Sequence, residues 1–316
     1  MQKGKRAQPF DTRIFLYNLF KRSLIIIAAG LFLKFFLIDS ASINGNQMSP
    51  SIIKGDRVLL FRLPHISLLS GLTQVHLMTP VVFKFPFENK KLGCLRIAGI
   101  SGDTVSIDSG VFINSSKPGF VFRKGFDKKD FVPADCSPRD FFSKYRIPGP
   151  GNIYNLDSLS LRDFFFALSV IRQENPKSKF DLKPKLFIDD SISNDYIITD
   201  FSLFKGKIDS VPLKDRFNWI FWNHFEEYLK HTLDGRKFSL KLILLVNNTE
   251  LHSYVVKDKY LFLLADNWTD GLDSRFIGPV KRKSVYGNAV FVLWSFDNYK
   301  QNGDHFRLNR LGRIVR

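Results

Sequence analysis

The sequence predicts a mainly β domain, carried on one N-terminal transmembrane helix and interrupted by an α-containing insertion. Three observations predict it. An apolar run at 24–38 follows a cluster of basic residues. Short segments rich in Val, Leu and Phe, such as "DRVLLFRL" and "PVVFKFPF", come after that run. Their alternation fits strands, whose side chains point to two faces in turn. Later, "SLRDFFFALSVIRQ" and "FWNHFEEYLKHTL" space their apolar residues as helices do.

The N-terminal element decides the compartment. Lys3, Lys5, Arg6, Arg13, Lys21 and Arg22 precede the apolar run and make 1–22 a basic cytoplasmic segment. The run is shorter than the roughly 20 residues a span needs, and Lys34 interrupts it near its outer end. Lys34 can snorkel, its stem staying apolar while the ammonium reaches water. Extra turns from Ser23 and from 40–43 give an anchor at 23–42. A cleaved signal peptide fits the same charge pattern, but no small-x-small cleavage site stands out. The uncleaved anchor is therefore expected, with the N-terminus in the cytoplasm and everything after Ser42 outside. That makes a single-pass protein of the cytoplasmic membrane, with the bilayer as one partner.

Strands follow at once. A β core is expected from 43–108 and 249–316, flanking an inserted mixed α/β region at 109–248. "CLRIAGISGDTVSID" reads as strand, glycine turn, strand. The Pro-Gly-Pro-Gly stretch at 148–151 reads as a connector. Ser160 offers an N-cap to the first insertion helix. "FSLKLILLVNNTELHSYVV" reads as a hairpin around Asn-Asn, and "KYLFLLADNW" and "NAVFVLWSF" as further strands.

Composition bounds the chemistry. Apolar residues make 44% of the 316, with 33 Phe, which excludes a disordered chain. The net charge of +17 favours anionic partners, although a Lys-rich solvated surface explains it as well. The anchor and the outward topology argue against nucleic acid. Cys94 and Cys136 are the two cysteines. They lack a metal-ligand spacing, so neither a zinc site nor a disulfide framework is implied, and a single bridge between them stays open. No metal and no cofactor is expected.

Three boxes carry the functional signal: "GNQMSPSIIKGDRVLL", "VVFKFPFENKKLGCLRIAGISGDTVSID" and "YLFLLADNWTDGLDSRFIGPV". Their order behind an anchor resembles the bacterial type I signal peptidases, membrane-anchored and mostly β serine proteases that remove signal peptides. The tail "NRLGRIVR" resembles the family's C-terminal end.

The resemblance implies a Ser–Lys dyad, and the dyad is absent. In the first box Met48, Pro50, Ser51, Gly55 and Asp56 match, but the nucleophile position is Gln47, which has no hydroxyl. The oxyanion hydroxyl's position is Gly45. In the second box Arg96, Ile97, Ala98, Gly99, Gly102 and Asp103 match, but the general-base position is Leu95, which cannot accept the proton a buried Lys would take. Lys90 and Lys91 lie too far along a strand to substitute. In the third box Asp266, Asn267, Asp273, Ser274, Arg275 and Gly278 match. Ala265 and Trp268 replace a Gly and an Arg, and the base-orienting Ser is Gly271. Asp273 and Arg275 are expected to form an ion pair tying this box to the second, with Arg96 a candidate participant.

Hydrolytic groups are thus lost while turn and scaffold residues remain. Ser49 and Ser51 flank Pro50 and could rebuild a nucleophile only if the segment is extended. The six His residues have surface positions as their plainer reading. The expected function is engagement of signal peptides or exported preproteins as extended strands, without cleavage. Gly45, Asn46, Met48, Cys94, Leu95 and Arg96 would contact the peptide, and main-chain bonds along "GCLRI" would add it as a strand. An active signal peptidase could be a partner. The competing readings are an active signal peptidase with unusual catalytic residues and a non-enzymatic partner subunit or anionic-surface binder.

Overall fold

The computed structural model of the chain describes residues 12–32, 34, 37–62, 76–87, 92–107, 111–116, 142–268, 271–297 and 305–315. Lys3, Lys5, Arg6, Lys90, Lys91 and Cys136, on which expectations above rest, lie outside them.

Helix α1 (Thr12–Phe32) contains an apolar window, Phe15–Phe32, with none of it buried against the rest of the chain. Eighteen residues at ~1.5 Å each span about 27 Å, close to the thickness of a bilayer's hydrocarbon core. A signal sequence near an N-terminus meets the same description. The helix lies nearer the N-terminus than the 23–42 anchor expected from sequence. Residues Ile38–Ser42 form strand β1 instead, paired with β2 (Asp56–Phe61) in the register Ser40↔Leu59. The ladder bonds and the burial of Ala41 outcompete helix in a segment whose Asp and Ser favour it little. Lys21 and Arg22 fall inside the apolar window.

The strands then run β3 (Pro80–Lys84), β4 (Leu92–Ile100), β5 (Thr104–Ile107), β6 (Val111–Ile113), β7 (Phe142–Arg146) and β8 (Ile153–Asn155). The inserted unit follows: α2 (Leu161–Glu174), β9 (Phe180–Ile188), β10 (Ser191–Ile192), β11 (Ile197–Ile198), β12 (Gly206–Lys207), α3 (Leu213–Arg216), α4 (Trp219–Thr232), β13 (Phe238–Val246) and β14 (Thr249–Glu250). The chain closes with β15 (Ser253–Val255), β16 (Tyr260–Leu264), α5 (Ser274–Ile277), β17 (Val280–Lys281) and β18 (Val285–Ser295).

The core sheet has seven strands in the order β1-β2-β18-β3-β4-β16-β17, all neighbours antiparallel. Sequence-distant segments therefore meet in it, and this is what brings the three boxes together. Both faces are apolar: Met48, Ile52, Val58, Val82, Cys94 and Val292 cluster on one side, and Val81, Leu95, Ile97, Leu263 and Ala265 on the other.

The inserted unit is a second layered structure. Its sheet runs β10-β9-β13-β14. Phe164, Phe165 and Leu168 of α2 and Trp222, Phe225 and Leu229 of α4 pack with Leu182, Leu186 and Leu244 of the sheet. Ser160 caps α2 by accepting the Asp163 amide, as its sequence position suggested. Asn247 and Asn248 turn the β13–β14 hairpin with φ of 51° and 68°, the pair of positive values that a two-residue turn of this kind requires.

Candidate active site

The first box forms the loop between β1 and β2. The Ser49 amide bonds the Asn46 carbonyl at 3.0 Å and the Ile52 amide bonds that of Met48 at 2.8 Å. Residues 47–50 are thus a turn, with a cis Ser49–Pro50 bond. The extended geometry that would put Ser49 on the face of Gln47 is not present. Met48 is 1% exposed and fastens the loop to the sheet. Gly55 has φ of 94°, and a Cβ there would lie 1.9 Å from the Phe296 carbonyl oxygen, so only glycine fits. Buried Asp56 accepts from the Ile53 amide at 2.9 Å and from Arg310 Nε at 2.8 Å. The C-terminal tail is clamped beneath the loop in this way.

The second box is β4 and the turn after it. Successive side chains face opposite ways along a strand, so Cys94 joins the Met48 cluster and Leu95 the opposite one. Leu95 is 0% exposed. Burial first, then the nearby Asp266 charge, push the Cys94 thiol up to about 12, with Arg96 opposing. Gly99 packs where a Cβ would meet Ile147 at 2.5 Å, and Gly102 turns the chain with φ of 99°. Asp103 secures the turn by accepting from the Ile100 amide at 3.0 Å.

The third box locks onto both others. The Asn267 amide donates to the Gln47 carbonyl at 2.9 Å, and Asn267 Nδ2 donates to that of Asn46 at 3.2 Å. Arg96 Nε and Nη2 bond the two carboxylate oxygens of Asp266 at 2.7 and 2.6 Å, with both residues buried. The tie between second and third boxes is therefore Arg96–Asp266, which corrects the expectation for Asp273 and Arg275. Those two pair within their own box, Arg275 Nε to Asp273 Oδ1 at 2.9 Å and Nη2 to Oδ2 at 2.8 Å. Asp273 also accepts the Ala265 amide and caps α5. The Arg275 guanidinium lies 3.8 Å over the Trp268 ring. Ser274 Oγ accepts from the Leu263 amide at 2.9 Å, and Gly278 ends α5 with φ of 76°.

These contacts link the first and third boxes, and the third box to the apolar layer that holds Leu95. Gln47 meets Asn267; Asn267 lies beside Gly271; Gly271 faces Ala265; Ala265 shares the apolar cluster of Leu95. A Cβ on Gly271 would fall 2.1 Å from the Cβ of Ala265 and 2.9 Å from the Asn267 carbonyl oxygen. The resemblance leads one to expect Gly at 265 and Ser at 271, and the geometry makes these two differences share one space. The Ala265 methyl occupies the room a side chain at 271 would need. Each departure was legible singly in the sequence, but their coupling was not, because only the fold juxtaposes them.

A cavity of about 340 Å³ opens beside the loop, lined by residues that include Gly45, Gln47, Met48, Leu92, Gly93 and Cys94. Of the residues expected to contact peptide, Gly45, Met48 and Cys94 line it. Asn46 is tied to Asn267, while Leu95 and Arg96 lie in the buried layers. A Cβ on Gly45 would meet only the Gln47 side chain, at 3.8 Å. Ile97 exchanges its main-chain bonds with Met78 and Thr79 on the β3 side. By alternation Cys94 turns its amide and carbonyl to the other side, where β16 pairs β4 only from Arg96 onward. Among the described residues no group of three or more His, Cys, Asp or Glu is placed to hold a metal.

Comparison with known proteins agrees with this architecture. The family model "Signal peptidase, peptidase S26" matches residues 16–146 and 216–294, leaving unmatched the first part of the inserted unit. The signal peptidase I of Aquifex aeolicus (strain VF5) is 23% identical over 274 residues, covering 86% of this chain and 81% of that protein. The signal peptidase I of Buchnera aphidicola subsp. Acyrthosiphon pisum is 27% identical over 122 residues, 35% of this chain and 38% of that protein. With more than half of its length matched, and the three boxes assembled on one sheet, the chain belongs to the signal peptidase family, peptidase S26.

Proposed function

We propose that this protein engages signal peptides, or exported proteins that carry them, as extended strands without cleaving them. Peptide-bond hydrolysis by this family's chemistry requires an activated hydroxyl and a proton acceptor at the positions of Gln47 and Leu95. The observation that carries the reading is the packing of Leu95. It is fully buried in an apolar cluster with Ala265, so the base position serves as core. On the Met48 and Cys94 side of the sheet, the cavity at Gly45 and the main-chain groups of Cys94 that turn away from β3 support binding of an extended ligand. In this reading α1 anchors the domain in the cytoplasmic membrane, with its N-terminus inside and the β domain outside.

The test is binding of a fluorescent signal peptide to the full chain in detergent. Wild type should bind without releasing product, and Gly45→Trp, which fills the cavity, should abolish binding while leaving the thermal transition intact. Binding unchanged by Gly45→Trp would refute the site.

A further inference from the structure

A second place for an extended peptide lies in the inserted unit, on strand β13, and it does not depend on the function proposed above. β13 has nine residues, but its outer neighbour β14 covers only Leu245 and Val246. Direction follows from the flanking bonds. The Lys237 carbonyl accepts from Asp189 on the β9 side, and the Leu244 carbonyl accepts from Leu251 on the β14 side. Main-chain groups alternate along a strand. Leu240 and Leu242 therefore direct their amides and carbonyls away from β9, where no strand among the described residues pairs with them. A cavity of about 490 Å³ lies along this edge. Leu156, Leu159, Leu161 and Phe164 help to line it, as do Asp157 and His252, which pair with each other at 3.0 Å. Glu226 lines it too, its carboxyl raised chiefly by burial.

Charge supplies a second, independent observation. Lys241 of β13 sits directly opposite Lys185 of β9, and Lys183 lies two residues further along β9. Among the described residues none of the three forms an ion pair, and the one contact recorded for them is Lys241 Nζ at 5.6 Å over the Phe187 ring. Like charges facing each other across strands are unfavourable unless an anion lies between or beside them.

We propose that β13 accepts an extended peptide as an added strand, paired to Leu240 and Leu242, whose inward side chains are apolar and whose alternate, outward side chains are acidic. The main-chain edge selects an extended chain. The leucine-lined wall selects apolar residues on the inner face, and Lys185 and Lys241 select carboxylates on the outer. A second copy of this chain is disfavoured as occupant because it would bring Lys241 against another cationic strand.

The test uses full-length protein in detergent and a labelled synthetic nonapeptide alternating Val and Glu. Leu242→Pro removes the outward amide, together with a leucine side chain that lines the cavity, and breaks no bond to β9, while Lys241→Glu reverses the charge. Fluorescence anisotropy should show saturable binding to wild type, at least tenfold weaker in both variants, with their thermal transitions retained. A control peptide alternating Val and Lys should not bind. In hydrogen exchange, the Leu240 and Leu242 amides should become protected only when the acidic peptide is present. No binding by wild type would overturn the proposal, as would binding indifferent to Leu242→Pro in a folded variant. A concentration-dependent dimer abolished by Leu242→Pro would overturn it in favour of self-pairing. Should Leu242→Pro fail to fold, the Lys241→Glu binding and the exchange protection at Leu240 and Leu242 still decide.

Discussion

At the scale of single residues, the exchange between 265 and 271 governs what could restore hydrolysis. Placing Ser at 47 and Lys at 95, with Ser at 271 to orient the amine, forces the new Cβ into Ala265. Gly271→Ser alone should therefore destabilise the protein by about 1–3 kcal/mol through overpacking. Combining it with Ala265→Gly should recover much of that loss. A double-mutant cycle read by chemical denaturation should show a favourable coupling of at least about 1 kcal/mol, whereas additive effects would show that the two positions do not share space. The buried Arg96–Asp266 pair gives another prediction. Removing one partner strands a buried charge, so Asp266→Ala should cost about 3–5 kcal/mol, while Lys207→Ala, at an exposed pair, should leave the midpoint unchanged. Cys94 adds a pH dependence. Its folded thiol is raised from 9.0 to about 12, so in that window the unfolded chain loses the proton first, and stability must fall as pH rises. Cys94→Ala should remove that part of the slope. The sequence showed which residues were missing from the boxes, but not that Arg96 chooses Asp266 over Asp273, since that choice depends on the register between β4 and β16.

At the scale of elements, local signals and tertiary context divide the outcome. The two insertion helices were legible from periodicity, and for α2 the Ser160 cap agrees with it. The Ser160 cap accounts for one orphan amide of α2, and Ser160→Ala should cost about 1 kcal/mol, measured by thermal or chemical unfolding. A change within error would mean that packing of Phe164, Phe165 and Leu168 alone sets the helix start. The Asn-Asn hairpin was legible for a similar reason, because its backbone requirement is written in two adjacent residues. The anchor boundary was not. Residues 39–42 follow the apolar run and were expected to lengthen its helix, yet pairing with β2 makes 38–42 a strand, and no local pattern announces a partner about twenty residues away. The seven-strand order likewise depends on contacts between segments more than two hundred residues apart, such as Asp56 with Ser295, which periodicity cannot reveal.

At the scale of the whole molecule, an apolar N-terminal helix precedes a sheet of the signal peptidase family in which Leu95 is core. Orientation can be tested first. Protease added to intact spheroplasts should degrade the chain beyond Ser42 and leave a short protected fragment, whereas full protection of the C-terminal domain would reverse the topology. The central claim, engagement without hydrolysis, is tested most directly by incubating the purified full-length protein with a preprotein in detergent and analysing the products by mass spectrometry. Because Gln47 offers no hydroxyl and Leu95 no proton acceptor, intact preprotein is expected at every time point. Release of a mature product, abolished by Ser49→Ala or Ser51→Ala in a protein that still folds, would contradict it and identify a rebuilt nucleophile.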